Sequence, residues 1–434
     1  MNIFLFHRDI RVEDNLGLLN LVEETNGENI FLFFIYNKKQ LYEKNEYFSQ
    51  KAFDFLNNAL INLSKKVNIN LFYAENEIEV FEEILQANKI ERIYINKDWS
   101  DFALARDKDL KQFCQKNNII FKEFNDYLLF RPGDILNNSN SFYKVFTPFY
   151  NNCVSKLVEN LPTVKKTLHF YTQIYKNSKS CSFLQEFKYF QTFFPNSIDQ
   201  ILEILKNNIH DYAKNRNNLA IDSNKISPAI RFGIISIRQL LLYVYQETKN
   251  INHELIRQLI WREFYYHFNF LASQTNWNFG NPWNRKFYFL EYNQADEKLK
   301  LWKEGKTGFP LIDAAIQELL QTGFMHNRAR MVVASFLTKN LFIDWHEGEK
   351  FFAQHLIDYD PIINHHSWQW VAGCGVDAQL FTRIFNPILQ QKKFDSNNYY
   401  ISKFLPTNYQ TKPIVDLHET SNKIKKVFQD NHID

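Results

Sequence analysis

"NIFLFFIYNKKQLYEKNEYFSQKAFDFLNNALINLSKKVNINLFYA", residues 29–74, reads as strand, helix, strand. Residues 29–36 are an almost unbroken apolar run. A strand with one wet face alternates polar and apolar residues, so this one is expected to be buried on both faces. "YFSQKAFDFLNNALINLSKKV" then carries apolar residues at helical spacing, and "NLFYA" at 70–74 returns to a short apolar run. Strands alternating with helices of this length form a parallel, doubly wound sheet.

The same alternation extends to either side. "NIFLFH" at 2–7, "RIYIN" at 92–96 and "IIFKEF" at 119–124 are further buried strands, with "DFALARDKDLKQFCQKN" a helix between the last two. Residues 1–128 are therefore expected to form a Rossmann-like α/β domain, whose ligands sit at the carboxyl ends of strands. No GxGxxG follows the first strand, so the dinucleotide fingerprint is missing. From 129 to 200 the pattern loosens, with Pro132, Pro148, Pro162 and Pro195 interrupting a long connector. Residues 201–434 are expected to form an all-helical domain, on runs such as "SIRQLLLYVYQE", "HELIRQLIWREFYYHFNFL", "PLIDAAIQELLQTG" and "NRARMVVASFLTKNLF".

Composition sets outer bounds. A chain of 434 residues exceeds what one core usually supports, and 45% hydrophobic beside 23% charged residues fits a soluble globular class. No apolar run approaches membrane-spanning length, and the one at the N-terminus is too short for a signal peptide, so a cytoplasmic protein is expected. The net charge of +3 permits a polyanionic partner without demanding one. Cys114, Cys153, Cys181 and Cys374 form no CxxC pair, which argues against a zinc ribbon, an iron–sulfur cluster or a disulfide framework. His326, His365 and His366 have no HExxH or cysteine partner, so no metal is expected.

Three helices carry the chemistry. In "DYDPIINHHSWQWVAG", residues 358–373, Asp360 and Pro361 have the character of an N-cap and a first helical residue. At roughly 100° per residue, Asn364 and Trp368 share a face while Trp370 points about 200° away from Trp368. One helix then serves two environments, although a lone tryptophan there is usually core. In "QLIWREFYYHF", Gln258 and Trp261 lie beside Arg262 and Glu263, a combination that suits stacking on flat rings and equally suits an amphipathic core helix. In "TGFMHNRARM", Asn327 and Met331 share one face, and Arg330 is placed to fork onto Asp358 or Asp360, or simply to tie two helices.

With these helices in view, the chain resembles the photolyase/cryptochrome family from end to end. "FLFHRDIRVEDNLGL", "YKVFTPF", "WREF", "GKTGFPLIDAAIQEL", "TGFMHNRARM", "LIDYDP", "WQW" and "RIFNP" recur in the family's order. The resemblance implies an antenna domain followed by a helical domain that binds FAD. By it, Tyr212, Ser223, Asn224, Lys225, Ile226, Ser227, Arg330, Asp358, Asp360 and Asn364 contact FAD. Trp261 and Trp370 wall a lesion pocket completed by Gln258, Asn327 and Met331. Arg216, Arg328, Arg383 and Gln390 hold the DNA strand.

The implied activity is light-driven repair of cyclobutane pyrimidine dimers in UV-damaged DNA, by a monomer without a protein partner. Asn327 and Met331 match members that act on cyclobutane dimers, whereas members for (6-4) photoproducts carry two histidines there. Gln258 departs from the usual glutamate of dimer photolyases and leans toward the (6-4) group or a non-enzymatic photoreceptor cryptochrome. Trp368 and then Trp345 would feed electrons to the flavin. The family's third tryptophan falls on Tyr292, leaving tyrosine or another aromatic as the exit. "NKDWSDFALARD" lacks the pair that marks a folate pocket, so the second chromophore stays open among folate, deazaflavin and flavin.

Overall fold

The computed structural model describes the chain except residues 42–44, 167, 179–193, 222–223, 276, 285–295, 379–382 and 431–434. Five strands, β1 (Asn2–Phe6), β2 (Ile30–Asn37), β3 (Ile69–Ala74), β4 (Arg92–Asn96) and β5 (Ile120–Phe124), form one parallel sheet in the order β3-β2-β1-β4-β5. Helices α1 (Leu16–Glu24), α2 (Gln50–Ser64), α3 (Glu77–Leu85) and α4 (Asp101–Lys116) make the crossovers. Every residue of β1 and β2 is buried, as their unbroken apolar runs require, while the edge strand β5 stays largely open. The strand order reverses beside β1, so ligand chemistry is expected at the carboxyl ends of β1 and β4.

Helices α5 (Phe146–Glu159), α6 (Ile198–Asn208), α7 (Tyr212–Asn215), α8 (Ser227–Arg231), α9 (Ile237–Thr248) and α10 (Glu254–Ala272) follow. After them come α11 (Asp296–Lys303), α12 (Pro310–Thr322), α13 (Asn327–Ser335), α14 (Trp345–His355), α15 (Pro361–Ala372), α16 (Pro387–Phe394), α17 (Tyr399–Phe404) and α18 (Leu417–Asp430). None among the described residues is long and apolar enough to cross a membrane.

The chain packs as two units. The first comprises residues 1–142, 148–210 and 225–271, so α8, α9 and α10 belong with the sheet. A buried ionic network ties them to it. Arg238 donates from Nε to Asp14 (2.9 Å) and from Nη2 to Asp126 (2.7 Å), and Arg11 reaches the other Asp126 oxygen at 2.6 Å. Ser236 donates to Asp14 as well. Burial pushes the Asp126 carboxyl up, but the guanidinium groups of Arg11 and Arg238 outweigh it and hold the group below the usual carboxylate range. Between α8 and α9 the backbone passes so close to Arg8 that a Cβ on Gly233, at φ +63°, would stand 2.3 Å from that residue's carbonyl oxygen. Only glycine fits there.

The second unit comprises residues 143–147, 211–224 and 272–434. Its core is aromatic, with Trp302, Phe336, Trp345, Phe351, Phe352 and Trp368 in one apolar cluster. The helical run expected through "SFLTKNLF" loosens into a π turn at Phe336–Asn340. This turn buries Lys339, whose ammonium donates to the Arg383 carbonyl at 2.8 Å and which burial brings down to about 7.

Candidate functional site

The site is built along α15. Asp360 caps the helix, its carboxylate accepting from the backbone of Ile362 and Ile363 at 3.1 Å each, and Pro361 occupies the first turn. That start fixes the phase of everything after it. Asn364 and Trp368, one turn apart, are both buried, at 8% and 2% exposure, whereas Trp370 is half-buried at the margin of the aromatic cluster. Trp368 lies edge-on to Phe352 (4.9 Å) and to Trp302 (6.4 Å). Its ring rests on the backbone of α14 at Gly348, where an added Cβ would meet it at 2.2 Å. Asn364 donates to the Glu349 carbonyl at 3.1 Å, which turns its Oδ1 toward whatever else the amide meets.

Arg330, on α13, forks onto one acid of the pair. Its Nη2 lies 3.1 and 2.9 Å from the two Asp358 oxygens, and its Nε donates to the Met325 carbonyl at 2.7 Å. Asn327 is exposed at the start of α13, and Met331, one turn on, is partly buried against the aromatic cluster, as Trp370 is. Tyr212 is half-buried on α7. Asn224 is 9% exposed, and among the described residues its amide nitrogen finds no hydrogen-bond partner, an expensive state that a ligand oxygen would relieve.

The arginines expected to hold the strand lie close to one another. Burial and then the like charges of Arg216 and Arg383 lower the Arg328 pKa, so the three cations are electrostatic neighbours. Arg328 is steadied by Asn217 (2.8 Å) and by the Phe394 ring (4.6 Å), while its Nε has no partner. The Gln390 side-chain oxygen is likewise buried and unanswered.

In the first unit, α10 carries the remaining candidates. Gln258 and Trp261 are half-buried, with the Gln258 amide donating to Glu254 at 2.8 Å and Trp261 edge-on to Phe264 at 5.7 Å. Glu263, next to them, points into the interior. Burial raises it to about 7 against Arg262 and the Phe130 amide. Lys225, Ile226 and Ser227 lead into α8, with Lys225 at φ +49°.

Ser223 and Tyr292 lie outside the described residues. Sequence reasoning missed Gly348, Asn217 and Glu349. A glycine inside the helical run "WHEGEK" was the one local signal. Asn217 and Glu349 act through partners distant in the chain, which no local pattern reveals.

The chain is similar to known proteins over nearly its whole length. Residues 2–166 match the model of DNA photolyase, and residues 255–431 that of the FAD binding domain of DNA photolyase. A deoxyribodipyrimidine photo-lyase of Buchnera aphidicola subsp. Baizongia pistaciae is 33% identical over 438 residues, covering 94% of this chain and 88% of its own. The crystal structure of an archaeal photolyase from Sulfolobus tokodaii, which holds two FAD molecules, superposes with a TM-score of 0.84 at 32% identity over 99% of this chain and all of its own. A class III photolyase from Agrobacterium tumefaciens gives 0.85 at 27% identity, covering 99% and 97%.

Proposed function

The chain belongs to the DNA photolyase family, and from that premise we propose that it repairs cyclobutane pyrimidine dimers in DNA by light-driven electron transfer through bound FAD. The observation that carries this reading is the split along α15: Asn364 and Trp368 buried, Trp370 half-buried at the margin of the apolar cluster, as Met331 is. The residues fit the cofactor. The unanswered Asn224 amide suits a diphosphate oxygen, and Asn364, anchored through its nitrogen, offers Oδ1 to a protonated flavin nitrogen. Arg330 holds Asp358 in one orientation, through a charge-assisted fork.

When bound, FAD would supply the electron-transfer chemistry that opens the cyclobutane ring. The chain supplies the rest. Trp370 would stack on an extruded base with Asn327 and Met331 offering polar and apolar contact in the second unit, and Trp261 with Gln258 carries stacking and amide chemistry in the first. Extrusion costs least where damage has already weakened stacking and pairing. Arg216, Arg328, Arg383 and Gln390 grip the strand, and their phosphate contacts supply most of the affinity. Trp368, backed by Trp345, replenishes electrons. A second chromophore is supported by His7, at the carboxyl end of β1, whose two ring nitrogens are both buried without partners among the described residues. Burial keeps that imidazole neutral, a state suited to hydrogen bonding with an uncharged ring system.

The test is to illuminate reduced protein with a dimer-containing oligonucleotide and follow the return of thymine absorbance. Unchanged absorbance despite bound FAD rejects repair. Gln258, tethered to Glu254, favours a second reading as a (6-4) enzyme, and the same assay on that lesion decides between them.

A further inference from the structure

Trp345 is 2% exposed, and two imidazoles touch it. His365, from α15, meets its ring edge-on at 4.9 Å. His346 lies face to face with it, with ring centres 3.7 Å apart and 27° between the planes.

The two imidazoles have opposite surroundings. His365 Nε2 lies 2.9 Å from the Gln369 amide nitrogen, and that amide is fixed in orientation, donating to the Asn281 carbonyl at 2.9 Å while its oxygen accepts from the Trp283 backbone. His365 therefore accepts at Nε2, with Nδ1 turned toward Glu349 at 3.6 Å. His346 meets acceptors at both nitrogens: the Asp344 carboxylate 2.8 Å from Nδ1 and the Gly280 carbonyl 2.9 Å from Nε2. Satisfying both takes two ring protons, which makes the ring a cation.

We propose that His346 is a proton-controlled brake on electron supply through Trp345: protonated, it opposes positive charge on the stacked indole, and deprotonated, it releases it. This inference rests on the reading of Trp345 as an electron relay. In that step the Trp345 indole gives one electron to the oxidised Trp368 indole and is refilled by an external thiol. Two such electrons convert two thiols to one disulfide and release two protons to solvent. A cation in van der Waals contact stabilises a neutral indole through its π face and raises the cost of removing an electron from it.

The groups facing His346 all favour its charged form. Asp344 and Glu349 are the acids, the Gly280 carbonyl adds to them, and together they outweigh burial and raise the imidazole above its ordinary range. Glu347, on the same turn, is paired with Lys303 at 3.1 Å. His346 is about half exposed, so solvent protons reach it.

The experiment compares the native holoenzyme with His346→Phe, His346→Gln and Trp345→Phe. Flavin photoreduction with excess thiol is followed between about pH 6 and pH 9, a window that brackets histidine titration. Transient absorption follows the tryptophan radical, and NMR follows the His346 ring protons in protein without flavin. The native rate should rise about threefold or more across that window, while both His346 variants stay flat near the upper value. The His346 resonance should titrate above the ordinary histidine range. A native pH profile retained in both His346 variants, or a His346 ring that titrates below that range, overturns the proposal. If Trp345→Phe photoreduces like the native chain, the relay reading falls and takes this inference with it. If Trp345→Phe is blocked while the His346 variants behave as native, the relay stands and only this inference falls.

Discussion

The buried polar groups around Asp14 and Asp126 in the first unit are answered by one another, whereas Asn224, Arg328 and Gln390 in the second each keep a buried polar atom without a partner among the described residues. Both regions bear the cost of removing polar atoms from water, but only the first recovers it inside the protein. The lesson is one of purpose. A closed network specifies how segments remote in sequence assemble, and open valences leave capacity that the proposed ligands would use.

The hardest way to break that contrast is to open the closed side. Arg238→Met leaves Asp14 and Asp126 buried and short of charge partners, and the first unit should lose about 3–5 kcal/mol in denaturant unfolding. In the second unit the comparable sensitivity is steric. Gly348→Ala drives a methyl group into Trp368 and Leu337, an overpacking cost of about 1–3 kcal/mol with a changed tryptophan emission spectrum. Arg330→Met removes a fork that is itself partly exposed. Stability should fall by only about 1 kcal/mol, while FAD retained through gel filtration drops sharply. Arg328→Gln should leave unfolding unchanged, weaken DNA binding whatever the sequence, and reduce the salt slope by about 1.

A separate effect is one of pH. Burial raises Glu263 to about 7 from an ordinary 4.5, so between those values the unfolded chain holds fewer protons than the folded one. Stability therefore declines as pH rises through that window, and Glu263→Gln should flatten the decline in unfolding curves taken at several pH values.

The sheet was legible because its information is local. The expected strands at 29–36 and 92–96 match β2 and β4 to within a residue, since an unbroken apolar run has few other uses. Asp360 and Pro361 declared the start of α15, and counting from there separated Trp368 from Trp370 correctly in burial. The meeting of Arg216, Arg328 and Arg383 was not readable from spacing, because it arises only when three distant segments fold together. The π turn was hidden for another reason. "SFLTKNLF" continues the helical pattern, and packing rather than propensity widens the turn that buries Lys339.

Gly348 bears on heritable change. Every missense variant of that codon adds atoms where the Trp368 indole already lies, so no conservative replacement exists. Trp368 itself has aromatic substitutes of smaller size. Selection on the small residue is thus expected to be stricter than on the large one it supports, and glycine at 348 should persist in lineages where tryptophan at 368 has drifted to a smaller aromatic residue.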